Sequence, residues 1–154
     1  MKGVASTKKF VSFYAFILLL ALDRATKYWA LSCITPISGG EGRFFLSLGL
    51  YFNRGISFSL LEEYANLGLS VALIGSAALC LICVKVKKIR SMRGMPLLYA
   101  GAVGNLIDRL MYGYVVDWLY IGGYINLADV WLIFGCILFL AESVSIARIR
   151  QNIG

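Results

Sequence analysis

The chain has 154 residues, 60 % of them hydrophobic, a mean hydropathy of +0.78 and a formal net charge of +7. A soluble domain carries far less apolar residue, so a single integral-membrane domain over residues 1–154 is expected. The absence of histidine removes the Ser-His-Asp and Cys-His nucleophile systems and the His-based zinc protease motifs together, leaving carboxylates, lysine or hydroxyls for any hydrolytic chemistry.

A basic head with Lys2, Lys8 and Lys9 precedes the apolar run Phe10 to Leu22. The pattern imitates a secretory signal, and Trp29 to Cys33 faintly resembles a cleavage box. Asp23, Arg24 and Lys27, however, would fall inside the apolar region that such a signal needs. An uncleaved first span over 10–34 is therefore predicted, with Tyr28 and Trp29 at the far interface. Asp23 and Lys27 share a helix face by their spacing, which fits either a salt bridge at a helix end or a place in a site.

Residues 35–63 are mixed. Their aromatic, β-compatible stretch from Phe44 to Phe52, bounded by Gly39-Gly40 and by Asn53-Arg-Gly55, predicts two or three short strands in an outward-facing β-rich element. Tyr64 to Val84 carries no charge over the length needed to cross, and its small residues, such as Gly68, Gly75 and Ala78, suit close helix packing. Cys80 and Cys83 lie in that run, so their C-x-x-C spacing reads as packing rather than a redox pair, and no disulfide framework is expected from these with Cys33 and Cys136.

A basic loop from Lys85 to Arg93 leads to a third span over 95–115, with Pro96 acceptable in its first turn. Asn105, Asp108 and Arg109 fall on one face of that helix. A short outer loop or interfacial helix with Asp117, Trp118 and Gly122-Gly123 follows, and then a fourth span over 126–147, with Asn126 and Asp129 at its outer end. The basic residues of the head, of the loop 85–93 and of the tail (Arg148, Arg150) outweigh Arg43 and Arg54 on the opposite side. They read as topology signals rather than as a nucleic-acid surface, and they put both termini in the cytoplasm. The expected fold is an all-α four-transmembrane-helix bundle with the β-rich element between spans 1 and 2.

That arrangement carries Asp23, Asp108, Asp117 and Asp129 to the outer leaflet, although they come from three spans and a loop. Ionisable groups in such surroundings are costly and mark functional sites by default. Two carboxylates brought close at low dielectric share a proton, so one can act as a base while the other acts as an acid. This is the requirement of an aspartyl protease. The alternatives are structural Asp-Arg pairs, such as Asp108 with Arg109, and a small transporter or proton relay. A relay is disfavoured because the polar residues crowd one side and the second span has none.

Five ordered motifs sharpen the choice: D-R-x-x-K at Asp23 to Lys27, N-R-G-I-S-F-S at Asn53 to Ser59, G-N-L-I-D-R at Gly104 to Arg109, V-V-D-W at Val115 to Trp118 and N-L-A-D at Asn126 to Asp129. With them the chain resembles the lipoprotein signal peptidases (signal peptidase II) over nearly its whole length. The resemblance implies Asp117 and Asp129 as the catalytic pair. It implies Asn53, Gly55, Asn105, Asp108, Arg109, Asn126 and Ala128 as residues that shape the site and bind substrate, and Asp23 with Lys27 as its floor. Trp118 and Ile125 stand where phenylalanine is usual. A presenilin-type protease is disfavoured because no G-x-G-D occurs. The resemblance further implies a bacterial cytoplasmic (inner) membrane location, diacylated prolipoprotein substrates cut on the amino side of the lipidated cysteine, contact with membrane lipids and inhibition by globomycin. No metal or cofactor and no nucleic-acid partner are expected.

The charge bias makes a topological prediction. A cysteine reporter at Lys87 is expected to resist an impermeant thiol reagent added to intact cells and to react after permeabilisation; labelling from outside would invert the arrangement.

Overall fold

The computed structural model describes residues 2–36, 46–54 and 93–151. The predicted second span, 64–84, together with Gly55 and most of the predicted outer segment, lies outside the described residues. What is described is α1 (Lys2–Cys33), β1 (Ser47–Asn53), α2 (Met95–Tyr112), β2 (Val115–Tyr120), β3 (Tyr124–Ile125) and α3 (Leu127–Gln151).

The helices bury their polar and charged residues and leave most of their large apolar ones exposed. On α1, Asp23, Lys27 and Ala30 form one buried face, while Val11, Phe13, Tyr14, Ile17, Leu18 and Leu22 are exposed. On α2, Leu98, Gly101, Asn105 and Asp108 point inward at helical spacing and Leu110 and Met111 outward. The stretch Leu127–Ser145 of α3 is long and apolar enough to cross a membrane, and with only 11 % of it buried it is not the core helix of a soluble protein. This reversal fits helices whose apolar surface meets lipid and whose polar groups must be satisfied internally.

Close approach of the backbones lets the polar face close. A Cβ on Gly104 would stand 2.6 Å from Asp23 Oδ2, so α2 comes this near to α1 only without a side chain there. At the other end, Met95 and Leu98 pack with Tyr99, Leu132 and Phe139, and the Arg93 backbone N–H donates to Glu142 Oε2 at 2.8 Å. Trp131 Nε1–H donates to the Leu19 carbonyl at 3.3 Å, joining α3 to α1.

The sheet corrects two expectations. The segment after the third span is neither a loop nor an interfacial helix: it forms β2 and β3, and β2 is the central strand of an antiparallel sheet ordered β1-β2-β3. The β-rich element is therefore built from both sides of the chain, with β1 as its described strand from the first outer segment. The reason lies at Gly113, which ends α2 three residues before the expected limit of 115 in a left-handed conformation (φ 77°), its N–H on the Arg109 carbonyl at 3.0 Å. The β-branched Val115 and Val116 follow and suit a strand. The other helices also differ in extent, α1 starting earlier than residue 10 and α3 running past 147.

In the register, Asn53 faces Val115, Phe52 faces Val116 and Tyr51 faces Asp117, with a shift between Leu48 and Tyr51. That shift is a β-bulge beside Asp117, a device that re-aims side chains. Leu50 and Val116 pack on Ala30 of α1 with Phe52, Tyr114 and Trp118 around them, and Trp118 meets Trp29 edge-on at 5.8 Å. Alternation along β2 then turns Asp117 to the face opposite Val116.

No atom lies within 4 Å of a Cβ placed on Gly113, so its requirement is conformational. Gly113→Ala is expected to destabilise the protein by about 1 kcal/mol, with Gly113→Asn losing less because asparagine tolerates that region. Thermal unfolding in detergent measures the order.

Candidate active site

The polar residues assemble as two linked layers. The lower layer is a cluster of two carboxylates and two cations. Arg24 Nη1 donates to Asp108 Oδ1 at 2.6 Å and Arg24 Nη2 to Asp23 Oδ2 at 2.9 Å. Lys27 Nζ lies 2.8 Å from Asp108 Oδ2, 3.3 Å from Asp23 Oδ2 and 2.9 Å from Asn105 Oδ1. The three donors of the ammonium thus have three acceptors. Asp23, Asp108 and Lys27 are buried, where unpaired charges would be prohibitive.

Each floor carboxylate also accepts a backbone N–H, and the two positions are telling. Asp23 Oδ1 accepts from Ala128 N–H at 3.0 Å, and Asp108 Oδ2 accepts from Val116 N–H at 3.1 Å. Those residues immediately precede Asp129 and Asp117.

The upper layer is these two aspartates with three asparagines. Asn53 Nδ2 donates to Asp117 Oδ2 at 2.9 Å and Asn126 Nδ2 donates to Asp117 Oδ1 at 2.5 Å. Asp129 Oδ1 accepts from Asn105 Nδ2 at 2.8 Å. Asp129 and Asn126 also bond reciprocally: Asp129 Oδ2 takes the Asn126 backbone N–H at 3.1 Å, and Asn126 Oδ1 takes the Asp129 backbone N–H at 3.1 Å. That is a capping box at the start of α3, with Asn126 as N-cap and a carboxylate three residues on. One asparagine therefore touches both carboxylates.

Burial, and then the neighbouring Asp129 charge, push the Asp117 carboxyl from an ordinary 3.8 up to about 7, against the hydrogen bonds from Asn53 and Asn126 and the Lys27 charge. A carboxyl in this state holds a proton through much of the neutral range. The arrangement can supply an acid and a base side by side.

The sequence-derived candidates fall as follows. Asp23, Lys27 and Asp108 lie in the floor; Asn53, Asn105, Asn126, Asp117 and Asp129 lie above it; and Ala128 contributes its N–H. Arg109 is half-buried, its Nη1 3.5 Å from the Asn105 carbonyl, in the electrostatic range of Asp129, Asp117 and Asp108. Gly55 lies outside the described residues. Where the sequence offered a structural pair of Asp108 with Arg109 as an alternative, Asp108 pairs with Arg24 and Lys27, both reaching it from α1. Arg24 was missed as a site residue. The signal was present, since a cation inside an apolar run needs a buried counter-charge.

Comparison with known proteins gives the same direction throughout. A family model described as "Signal peptidase (SPase) II" matches residues 15–145. A protein of Fusobacterium nucleatum named lipoprotein signal peptidase is 30 % identical over 150 residues, 90 % of this chain and 88 % of the relative. One of Syntrophomonas wolfei with the same name is 35 % identical, covering 82 % of this chain and 87 % of the relative. A solved bacterial membrane enzyme superposes with a TM-score of 0.71 at 26 % identity over 88 % of each chain.

Because folding raises the Asp117 value from 3.8 to about 7, its contribution to stability is complete below the ordinary carboxylate range and lost as pH rises through about 7. Melting temperature measured from pH 5 to 8 should fall in the parent protein, and Asp117→Asn should flatten that slope. An equal slope in the variant would contradict the raised value.

Proposed function

The chain belongs to the signal peptidase II family, and on that premise we propose that Asp117 and Asp129 are its catalytic dyad, working on diacylated prolipoproteins. It is an aspartic peptidase that removes signal peptides from prolipoproteins. The observation that carries the assignment is Asn126, which hydrogen-bonds to Asp117 through its amide and to Asp129 through both its carbonyl oxygen and its backbone N–H.

With one proton shared by the dyad, the ionised carboxylate takes a proton from water as the water oxygen attacks the scissile carbonyl carbon. The protonated partner hydrogen-bonds to, and then protonates, the carbonyl oxygen. Collapse of the resulting gem-diol breaks the C–N bond: one diol hydroxyl returns its proton to the ionised carboxylate as the C=O bond re-forms, while the other carboxyl passes its proton to the leaving amine of the lipidated cysteine. The dyad ends with the single proton it began with. Asn53, Asn105 and Asn126 hold the carboxylates in place; Arg109 and the residues around it shape the substrate's path. Among the described residues β1 lies at the edge of the sheet, bridged on its outer side by Pro36 at Leu50, so an extended peptide can add to the sheet there by main-chain hydrogen bonds while its acyl chains remain in the bilayer.

The fine topology is part of the same proposal: one domain over 1–154, four spans with the second at 64–84, both termini cytoplasmic, and the dyad toward the outer leaflet of the bacterial inner membrane. The apolar outer surfaces of α1, α2 and α3 support it. Globomycin is expected to compete with substrate at the dyad.

Asp117→Asn and Asp129→Asn should each abolish cleavage of a purified diacylated prolipoprotein while the protein stays folded. The double variant should be scarcely worse than either, because residues acting as a unit are strongly non-additive. Substantial turnover by either folded single variant would end the dyad assignment.

A further inference from the structure

Of the two floor cations, Lys27 bonds to Asn105, whereas Arg24 touches neither the dyad nor its asparagines in the described contacts, yet it closes the charge balance beneath them. Asp23 and Asp108 bring two negative charges and Lys27 one positive; Arg24 brings the cluster to neutrality. Its guanidinium spans both carboxylates, Nη1 on Asp108 and Nη2 with Nε on Asp23, a fork that a lysine cannot reproduce. By holding one oxygen of each carboxylate it leaves the Lys27 ammonium to bridge the remaining Asp108 oxygen and Asn105 Oδ1, at 2.8 Å and 2.9 Å. That contact fixes the amide of Asn105, so that its Nδ2 faces Asp129.

We propose that Arg24 is a positioning residue that sets the working pH of the dyad: it neutralises the second floor carboxylate and so keeps Lys27 engaged with Asn105. The idea rests on the dyad assignment above. Without Arg24 the cluster carries a net negative charge, and the pair above it binds its proton more tightly, since a nearby like charge disfavours ionisation. Among the described residues, the charged groups that act on the pair are Asp23 and Lys27 from α1 and Arg109 from α2, while Tyr51 of β1 stands opposite Asp117 with Tyr124 of β3 stacked on it. Lys27 acts electrostatically on both aspartates of the pair, so a change in its surroundings is felt by both.

The test uses the full chain in detergent, with ¹³C-labelled aspartate carboxyls and, in parallel, the pH dependence of kcat/KM on a diacylated prolipoprotein. Arg24→Gln is expected to move the pair's titration, and the acid limb of kcat/KM, upward by about one pH unit. Arg24→Lys keeps the charge and should return both most of the way. Asp23→Asn with Arg24→Gln restores neutrality without the fork and should also titrate like the parent, which decides the matter even if Arg24→Gln alone does not fold. Arg93→Gln, a change to an exposed cation on Glu142, should move neither. A folded Arg24→Gln protein with an unmoved titration, a uniform loss of activity at every pH, or a shifted titration in the charge-balanced double variant would overturn the proposal. Failure of the parent chain to cleave the prolipoprotein would instead overturn the assigned function, since the carboxyl titration still reads the positioning effect without turnover.

Discussion

Two buried carboxylates that must each be neutralised hold this structure together. Asp23 and Asp108 are on different helices, and neither can be buried as an anion without cations beside it. Arg24 and Lys27 meet that demand from α1 alone, so α1 must lie against α2 with Gly104 letting the backbones close. Each carboxylate then has an oxygen directed at a backbone N–H one residue before an aspartate of the proposed dyad, Val116 on β2 and Ala128 on α3. The ion cluster thus fixes the helix contact and the two supports beneath Asp117 and Asp129. Such a cluster is weak evidence for added stability; its value is that few other packings satisfy all four charges together.

The reversed burial pattern follows from the same constraint. An apolar side chain that meets lipid gains nothing by turning inward, and a polar one loses heavily by turning outward. The polar faces must then find each other. β2 enters this interior as a strand rather than a loop, with its ladder bonds to β1 and β3 satisfying the backbone and its Val116 face packed on α1. A strand gives Asp117 a fixed direction that a loop would not, and the capping box gives Asp129 one at the head of a helix.

Much of this was legible in the sequence because it is local. The spacing of Asn105 with Asp108 and of Asp23 with Lys27 announces shared helical faces, the charges inside apolar runs announce a site, and Pro96 marks the start of α2. What escaped notice depends on partners distant in the chain. V-V-D-W-L-Y carries strand-forming residues, but its partner strand β1 lies before the second predicted span, so nothing nearby announces the pairing. Asn126 and Asp129 read as two polar groups one turn apart; that they also cap α3 depends on where the helix begins. Arg24 follows Asp23 directly, and adjacent residues on a helix do not face the same way, so its reach to both Asp23 and Asp108 depends on the long, forked side chain and on the approach of α2.

The choice of asparagine around the proposed dyad has a physical logic of its own. Asn53, Asn105 and Asn126 each give an amide donor to a carboxylate, and a neutral donor steadies an anion far less than an ammonium or guanidinium would. An aspartic dyad needs that moderation, because a direct ion pair would favour loss of both protons and remove the acid. Lys27 acts on both aspartates electrostatically, yet its ammonium is directed at Asp23, Asp108 and the Asn105 carbonyl oxygen, and Asn105 passes on only an amide N–H to Asp129. The Lys27 charge thus stops one residue short of Asp129. The amide between them fixes geometry while leaving the pair able to hold one proton, and this is how a floor of paired charges and a carboxyl raised to about 7 can lie close together.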